Sequence, residues 1–591
     1  MNTTRNERLG RLRDRRRVAA LVVGGGINGI STYRELALQG VDVLLVERGD
    51  FMSGASSAPS RMIHGGLRYM ENGEFGLVRE SLRERNRLLQ NAPHYVSPLP
   101  TLIPMSGHLS GIGAAISRFF GGTPKPGARG SLIVKLGLTL YDFYSGRGNP
   151  LPRNSFYGRT ETRKRWPALS PEITCAALYH DARISYAERL GIEMILDVER
   201  DAPQALALNH VEMAGLDGAV ATLKDTLTGE TFCVQPDVIV NATGAWIDLT
   251  NALLAAEAPK FIGGTKGSHL VLRSPALVEA LGDKMVYFAN RDGRVCILFV
   301  HFGNVLAGST DISVDTPEGV RCEDDETSYI LQSVREVFPA VAITEEDILF
   351  RFSGVRPLPR GETGVNAAIS RDHSCEWLDR AGVPALNLIG GKWTTFRAFG
   401  AEAADMVLGK IGMARGVGTD SLAIGGGADY PASNQARAQW LKGEAQFGGI
   451  CEGRATELLQ RYGTRARQFV PPAEDGPVAS LPSYSRAEIE WIVENEHVAT
   501  LGDLILRRTA IAFSGELSLA ALEELSAIAA GVLFWSADER RRQVEDLVSQ
   551  LATNHGLDAD ALAARNLPRK EADVPVPESP HEPPLRKRQM S

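Results

Sequence analysis

The sequence has little of three features that would place a protein in a specialised class. It contains no apolar run of the roughly eighteen residues that a membrane-spanning helix needs. Its six cysteines form no CxxC pair and have no neighbouring histidine ladder, so we expect free thiols in a reducing compartment, without a zinc or other metal site or a disulfide framework. A net charge of −7 argues against general nucleic-acid binding. The remaining composition, 43% hydrophobic and 23% charged, is that of an ordinary soluble globular protein.

The start of the chain is rich in arginine and permits two interpretations. Residues 1–17 carry seven arginines and are predicted to form a basic N-terminal tail. Such a tail is either solvated or attracted to anionic lipid headgroups. The apolar segment that follows is the first strand, and no small-residue cleavage site comes after it. We therefore expect no signal peptide.

Residues 18–47 have the pattern of a nucleotide-binding unit. A continuous apolar run at 18–23 is typical of a parallel strand covered on both faces. Gly24, Gly26 and Gly29 follow on the GxGxxG spacing, and the next helix directs its N-terminus at a pyrophosphate. Glu47 ends the second strand eighteen residues after Gly29, where a carboxylate can accept both ribose hydrogen bonds. The motif alone does not choose between FAD and NAD.

The rest of the chain indicates interrupted domains rather than consecutive ones. A length of 591 residues predicts two or three domains. A strand and glycine at 237–244 indicate a return to the first domain, and strand-like runs from 261 to about 359 indicate an antiparallel substrate domain. The predicted boundaries are an oxidoreductase region at 18–415, with nucleotide-binding segments at about 18–105, 180–250 and 360–415 and substrate-binding segments between them, a glycine-rich loop excursion at 106–131, a linker at 416–433, a helical C-terminal domain at 434–560 and a disordered tail at 567–591.

Short motifs in one order carry a family resemblance over roughly residues 18 to 555. They are GGGINGI, SRMIHGGLRYM, ALYHDARI, VNATGAW, KGSHLVL, FSGVRPL, AISRDH and IGGKWTTFR, with TLGDLILRRTAIAF in the helical domain. The chain resembles the FAD-dependent glycerol-3-phosphate dehydrogenases, within the D-amino-acid-oxidase-like flavoproteins. The resemblance chooses FAD over NAD. It implies an α/β fold with a Rossmann-like FAD-binding domain, an interleaved and mainly antiparallel β substrate domain, and an α-helical C-terminal domain.

The resemblance also implies which residues hold FAD. The glycines and the acid of the opening unit would bind the ADP half. A stretch around residue 60 would run beside the pyrophosphate and the isoalloxazine ring, and a late turn would stabilise negative charge on the reduced ring. The cofactor-binding residues implied in this way are Gly24, Gly26, Gly29, Glu47, Ser53, Ser56, Ser57, His64, Gly65, Gly66, Gly244, Gly390, Gly391, Lys392, Thr394 and Thr395.

A second implied site holds a phosphorylated polyol substrate. Arg356 and Arg371 match positions around the substrate phosphate, where a planar guanidinium suits bidentate contact, and Arg68 is a third candidate. His269 matches the residue proposed as the base, a task that suits a histidine whose pKa is near neutrality. Lys392 is its rival, either as base or as polariser of the developing oxyanion. The implied reaction oxidises sn-glycerol 3-phosphate to dihydroxyacetone phosphate by hydride transfer to flavin N5.

The chain departs from the family pattern at a few positions near these motifs. Arg61 stands where the family stretch usually has lysine, Ala245 replaces a proline, and Trp393 and Phe396 lie beside the late flavin motif. Changes of bulk there could alter which polyol phosphate fits, so an erythritol-phosphate dehydrogenase is an alternative. An oxygen-using oxidase and a noncatalytic flavin-binding protein are further alternatives.

Partners and location follow from the resemblance alone. It implies electron transfer to a membrane quinone. The protein would then be cytoplasmic, or peripheral on the inner face of the plasma membrane through the arginine-rich N-terminus or an amphipathic C-terminal surface. A homodimer is common among such enzymes, although the sequence does not determine the oligomeric state.

Overall fold

The computed structural model describes residues 4–66, 74–106, 138, 141, 151–255, 257–290, 294–360, 373–379, 383–469 and 476–566. Arg68, Arg371, nearly all of the predicted loop excursion at 106–131 and the predicted disordered tail at 567–591 lie outside these ranges. Across the described part of the chain, no helix combines the length and the apolar character needed to cross a membrane.

The strands follow one another along the chain from β1 to β20. They are β1 (Arg17–Val23), β2 (Val43–Glu47), β3 (Met62–Ile63), β4 (Val96–Met105), β5 (Ser155–Tyr157), β6 (Cys175–Ile184), β7 (Leu206–Asn209), β8 (Val211–Asp217), β9 (Val220–Asp225), β10 (Thr231–Asn241), β11 (Thr265–Leu272), β12 (Met285–Ala289), β13 (Val295–His301), β14 (Asn304–Gly308), β15 (Ile312–Ser313), β16 (Ile348–Arg356), β17 (Ser374–Leu378), β18 (Ala385–Ile389), β19 (Pro477–Val478) and β20 (Leu481–Ser485).

The α-helices of the described residues are numbered from α1, which precedes β1, to α17. They are α1 (Arg5–Asp14), α2 (Ile27–Leu38), α3 (Phe75–Asn91), α4 (Arg159–Arg165), α5 (Ala187–Asp201), α6 (Ile247–Leu254), α7 (Pro275–Leu281), α8 (Asp324–Val337), α9 (Phe396–Lys410), α10 (Asn434–Gly448), α11 (Glu452–Tyr462), α12 (Arg486–Asn495), α13 (Leu501–Asp503), α14 (Ile511–Ser514), α15 (Leu519–Leu533), α16 (Ala537–His555) and α17 (Ala559–Ala564).

The first sheet has a parallel centre, with the order β17-β18-β10-β1-β2-β7. Its central strands β1, β2, β7, β10 and β18 run parallel, and β8 and β9 form an antiparallel extension on β10. Helices α2, α5 and α9 share an apolar core with one face of the sheet. The continuous apolar character of β1 and β2 follows from this burial on both faces.

The second sheet has ten strands and is almost entirely antiparallel. Its order is β15-β11-β14-β13-β12-β4-β6-β3, with β16 paired to β11 and β5 paired to β6. Only the β4–β12 pairing is parallel among the described strands of this sheet. Helices α7 and α8 contribute to a core on this sheet, and the helical C-terminal domain packs on residues of β13, β14 and β16. The predicted fold class, with its Rossmann-like, antiparallel and helical parts, is confirmed.

The N-terminal segment does not form the solvated tail that the sequence suggested. Residues of α1 pack onto the first sheet, with Leu9 and Leu12 buried. Its arginines pair with acids elsewhere in the domain, for example Arg8 with Glu199 at 3.2 Å. The apolar spacing of two leucines among seven arginines was too weak a signal for this helix.

Two other segments differ from the sequence-based description. Strands β3 and β4, assigned by sequence to the nucleotide-binding segment 18–105, belong to the second sheet because they pair with β6. The predicted linker at 416–433 is packed rather than extended. Its buried Gly425 and Gly426 donate backbone hydrogen bonds to Asp197 (2.8 Å) and Glu193 (3.1 Å) of α5.

Candidate active site

The glycine turn after β1 brings backbone to the ends of the parallel strands. Gly24 has φ of +108°, and a Cβ there would lie 2.7 Å from the carbonyl oxygen of Ala242 at the end of β10. A Cβ on Gly29 would lie 1.9 Å from the carbonyl oxygen of Gly24. A larger residue at position 24 would therefore push the turn away from the end of β10, and one at position 29 would push α2 away from the turn. Gly29 supports packing and does not itself line the cleft beside the turn.

Glu47 closes this turn from the neighbouring strand. Its carboxylate accepts hydrogen bonds from the backbone N–H groups of Gly25 (2.7 Å) and Gly49 (2.8 Å). Burial raises the pKa of Glu47, although the two backbone donors oppose that effect. The side chain also lines the cleft, and each carboxylate oxygen has a second lone pair for a ligand hydroxyl.

One continuous cleft of about 1110 Å³ runs from this turn to the second sheet. Its walls come from residues following β1, β2, β10 and β18 and from residues of β11, β13 and β16. The volume exceeds the roughly 300–1,000 Å³ of sites for drug-sized ligands. A long ligand such as a dinucleotide can therefore lie at the strand ends and still reach the second sheet.

The cleft collects most of the predicted site residues. Those that line it are Gly24, Gly26, Glu47, Ser53, Ser56, His64, Gly244, His269, Arg356, Gly390, Gly391 and Lys392. Those that lie behind its wall are Gly29, Ser57, Gly65, Gly66, Thr394 and Thr395. Two of the latter shape the wall: Thr394 Oγ1 accepts a hydrogen bond from the backbone N–H of His64 (3.2 Å), and the N–H of Gly65 donates to Asp181 (3.0 Å).

His269 lies on β11, deep in the wall that the second sheet contributes. Its Nε2 is 2.9 Å from Ser60 Oγ, and its ring stacks on Phe352 with 5.0 Å between centroids. Burial, with further contributions from the Arg356 and Arg61 cations, lowers the pKa of His269 to about 3. The near-neutral pKa expected from the sequence is therefore wrong. The ring is uncharged at neutral pH and can accept a proton.

Arg356 ends β16 beside His269. Its guanidinium donates to Asp311 Oδ1 (3.2 Å), Ser309 Oγ (3.0 Å) and the carbonyl oxygen of Thr310 (3.2 Å). Gly267, on the adjacent strand, makes room for it, because a Cβ there would lie 2.0 Å from Nη2. The guanidinium is thus oriented by its neighbours while it borders the cleft.

Lys392 approaches the cleft from the turn after β18. Gly391 in that turn has φ of +94°, and Lys392 Nζ lies 3.3 Å from Ser81 Oγ of α3. Of the two aromatic departures beside it, Trp393 lines the cleft and donates to the carbonyl oxygen of Ser56 (3.2 Å). Phe396 instead points into the core of the first domain. Only Trp393 of this pair can therefore contact a ligand.

Several lining residues were not identified from the sequence. They are Asn28, Ser60, Tyr179, Asp181, Trp246, Tyr287, Arg294, Thr310 and Asp311. Ser60, Tyr179 and Asp181 lie inside the family motifs, so the motifs were the sequence signal that could have identified them. Thr310 and Asp311 lie in none of those motifs. They reach the cleft because β14 pairs with β11 and carries the following residues past His269.

The described residues fit FAD. Backbone at Gly24 and Gly26 lines the cleft after β1, where Glu47 supplies a carboxylate, and backbone at Gly390 and Gly391 lines it after β18. The cleft then continues toward polar and charged groups on the second sheet, which leaves room for a redox ring and a substrate. The fold and the cleft together define a dinucleotide-dependent oxidoreductase with an α/β cofactor domain.

Comparison with known protein families agrees with this class. Residues 19–404 match the family described as FAD dependent oxidoreductase, and residues 417–540 match the C-terminal domain of alpha-glycerophosphate oxidase. A glycerol-3-phosphate dehydrogenase of Synechocystis sp. is 33% identical over 559 residues, covering 89% of this chain and 94% of the relative. A D-erythritol 1-phosphate dehydrogenase of Brucella abortus is 30% identical over 498 residues, covering 83% and 93%.

A solved structure extends the likeness to the fold. The X-ray structure of the glycerol-3-phosphate dehydrogenase from Bacillus halodurans, complexed with FAD, has a TM-score of 0.72. The match covers 93% of this chain and 98% of that chain at 21% sequence identity. The chain belongs to the family of FAD-dependent glycerol-3-phosphate dehydrogenases. FAD is its cofactor.

Proposed function

We propose that the protein oxidises sn-glycerol 3-phosphate to dihydroxyacetone phosphate. The observation that carries this proposal is that His269, Arg356 and Lys392, from three separate segments, border the same cleft as the dinucleotide turn. FAD, when bound, supplies the hydride acceptor. The named glycerol-3-phosphate dehydrogenase relative supports the choice of substrate.

The roles of the side chains follow from their chemistry. Arg356 binds the substrate phosphate through its planar guanidinium, and Arg371 and Arg68 are further candidates for that contact. His269 is uncharged at neutral pH and takes the proton of the substrate hydroxyl at a ring nitrogen. The Lys392 ammonium stabilises negative charge on the substrate oxygen as that proton leaves.

The first test is anaerobic flavin reduction by a panel of polyol phosphates with three to five carbons. We expect sn-glycerol 3-phosphate to bleach the flavin absorbance. The unphosphorylated polyol should do so far less effectively, because it lacks the charge that Arg356 recognises. A yellow holoprotein that no member of the panel bleaches would contradict the proposal and favour a noncatalytic flavin-binding protein.

A second test concerns the base. We expect His269→Asn to slow flavin reduction by substrate at least about 100-fold, the usual scale for losing a general base. FAD content and its visible spectrum should stay unchanged. Lys392→Met is the matched comparison. Near-normal reduction in His269→Asn together with loss in Lys392→Met would assign the base to Lys392.

Erythritol phosphate is the second candidate substrate. The D-erythritol 1-phosphate dehydrogenase relative is nearly as similar as the glycerol-3-phosphate dehydrogenase relative. Trp393 stands where the family pattern has leucine, and it borders the cleft. The larger side chain there would change which length of polyol phosphate fits. In the panel, a higher kcat/KM for D-erythritol 1-phosphate than for sn-glycerol 3-phosphate would select this alternative.

We propose a quinone as the electron acceptor, on the family resemblance alone. One observation supports the oxidase alternative: residues 417–540 match a domain named for alpha-glycerophosphate oxidase. Reoxidation of the reduced enzyme by a soluble quinone analogue, without peroxide, is the expected result. Stoichiometric hydrogen peroxide in air would instead identify an oxidase.

A cytoplasmic location with peripheral membrane contact and a homodimeric state are proposals that rest on the same resemblance. Attachment through the N-terminal arginines has lost support, because Arg5, Arg8 and Arg13 pair with acids of the same domain. We therefore favour an amphipathic C-terminal surface. Vesicle flotation at low and high salt tests the membrane contact, because salt screens an arginine-dominated interaction. Light scattering tests the homodimeric state.

A further inference from the structure

A hydroxyl group lies against the ring of His269. Ser60 Oγ is 2.9 Å from His269 Nε2, and both residues border the cleft. His269 Nδ1 is buried and has no hydrogen-bond partner among the residues that the structure describes. Within that part of the chain, Ser60 is therefore the hydrogen-bonding partner of the imidazole.

The other contacts of the ring restrict its plane but do not distinguish its nitrogens from its carbons. The Phe352 ring lies parallel to it, with 9° between the planes. On the paired strand, a Cβ at Gly308 would lie 2.3 Å from His269 Cδ2, so the ring packs closely against glycine backbone. A half-turn about the Cβ–Cγ bond keeps the stacking but places each ring nitrogen where a ring carbon was. The hydrogen bond to Ser60 selects one of these orientations.

Ser60 is itself held by the residue that follows it. The buried Arg61 has φ of +56°, and its guanidinium makes two hydrogen bonds to Glu188 of α5, at 2.7 and 2.6 Å. The same guanidinium lies 4.7 Å from the ring of Phe513 in the C-terminal domain. The Arg61 carbonyl oxygen accepts from the N–H of Ile184 (3.0 Å). Side chain and backbone of Arg61 therefore both fix the position of Ser60.

We propose that Ser60, anchored through the Arg61–Glu188 ion pair, is a positioning residue that orients His269 for proton transfer. The inference rests on the proposed function. Because Nδ1 is buried, the proton that leaves the substrate hydroxyl goes to Nε2. A hydroxyl suits this task because it donates to Nε2 while that nitrogen is unprotonated and accepts from it once it is protonated. The contact can therefore persist when the imidazole gains a proton, whereas an alanine would leave the ring without this partner.

The test compares Ser60→Ala, Ser60→Thr and Glu188→Gln by anaerobic stopped-flow reduction with sn-glycerol 3-phosphate, over about pH 5.5 to 9. In Ser60→Ala we expect the limiting rate to fall about 10- to 100-fold across this pH range, because the pKa of His269 lies well below it. The apparent substrate Kd should change less than about threefold, because the lost interaction serves proton transfer rather than binding. Ser60→Thr should recover most of the rate. Glu188→Gln should lower the rate less than Ser60→Ala does.

Ser185→Ala is the matched control, since Ser185 Oγ bonds to the carbonyl oxygen of Tyr95 (3.3 Å) away from the cleft. It should keep the wild-type rate and pH profile. FAD content and thermal unfolding of each variant provide the check on folding. If Ser60→Ala does not fold, an unchanged rate in Glu188→Gln overturns the anchored-serine proposal.

Other outcomes separate this inference from the proposed function. A wild-type limiting rate and pH profile in Ser60→Ala would overturn the role of Ser60 and leave the proposed function intact. Loss of substrate affinity at an unchanged limiting rate would show that Ser60 binds substrate rather than orients His269. Failure of every polyol phosphate to reduce the wild-type flavin would remove the proposed function, and this inference with it.

Discussion

Single glycines determine where polar side chains can lie in the cleft. Gly267 lies two residues before His269 on β11, and Gly308 lies opposite His269 on β14; each faces a polar side chain at a distance that no Cβ could occupy. Gly267 faces the Arg356 guanidinium, and Gly308 faces the His269 ring. These glycines act through the space they leave rather than through unusual backbone angles.

Gly267→Ala should displace Arg356 and weaken substrate binding. The added Cβ would lie 2.0 Å from Nη2, so the guanidinium must move away from its present partners. Loss of one charge-assisted phosphate contact costs about 1.5 to 3 kcal/mol, or about 10- to 100-fold in the substrate Kd. Anaerobic titration measures that Kd, and FAD content should not change. Gly215→Ala, with open space around its Cβ, is the control. Unaltered substrate affinity in Gly267→Ala would exclude a substrate contact by Arg356.

One loop next to the second sheet contacts residues of the first domain at the edge of the cleft. The 314–323 segment, between β15 and α8, carries Glu318. Its carboxylate accepts from the indole Nε1–H of Trp246 (2.6 Å) and from Arg48 (3.1 Å). The Arg48 guanidinium also lies 4.9 Å from the Trp246 ring. Arg48 and Trp246 both line the cleft, so the segment closes over its edge.

Glu318→Ala should therefore speed FAD release. The contacts are half-exposed, so the expected effect is modest, about three- to tenfold in the dissociation rate. The recovery of flavin fluorescence after dilution of the holoenzyme measures this rate. Glu161→Ala is the control, because it breaks a similarly exposed ion pair, with Arg165 of α4, that does not involve the 314–323 segment. Equal release rates for Glu318→Ala and the wild type would show that the segment does not retain the cofactor.

The whole molecule is joined by buried ion pairs between the first domain and the helical C-terminal domain. Arg508 makes two hydrogen bonds to Asp50, at 2.7 and 2.9 Å, and neither side chain is exposed. His210 Nε2 lies 3.0 Å from an Asp503 carboxylate oxygen. Asp50 lies shortly after the end of β2, next to the glycine turn that follows β1. We call this contact between the first domain and the C-terminal domain the joint. Because unpaired buried charges are costly, these pairs favour one relative placement of the domains.

The His210–Asp503 pair makes the stability of this joint dependent on pH. Burial alone would lower the pKa of His210, but the Asp503 carboxylate outweighs it and raises that pKa above the ordinary 6.5. A raised pKa gives stability that is fully present below pH 6.5 and is lost as pH rises through the folded-state value. His210→Asn, which suits the backbone φ of +54° there, should cost about 2 kcal/mol at pH 6 and less at pH 9.

Thermal unfolding of the holoprotein at both pH values measures this difference. The wild type should lose more stability between pH 6 and pH 9 than His210→Asn does. His555→Asn is the control, because burial lowers the pKa of His555 to about 4 and the residue is uncharged throughout this range. Parallel pH dependence of the wild type and His210→Asn would contradict an ionised His210 at the joint.

The sequence by itself determined the units whose signals are local. The strand, glycine turn, helix and second strand predicted at 18–47 appear as β1, α2 and β2, because apolar runs and glycine spacing act over a few residues. The motifs likewise predicted Arg356, Lys392 and His269 as one site, through family resemblance. Tertiary structure decided what those motifs could not: the contact of Ser60 with His269, the depressed pKa of that ring and the packing of α1. These depend on strand register and burial between segments hundreds of residues apart, for which the local pattern carries no signal.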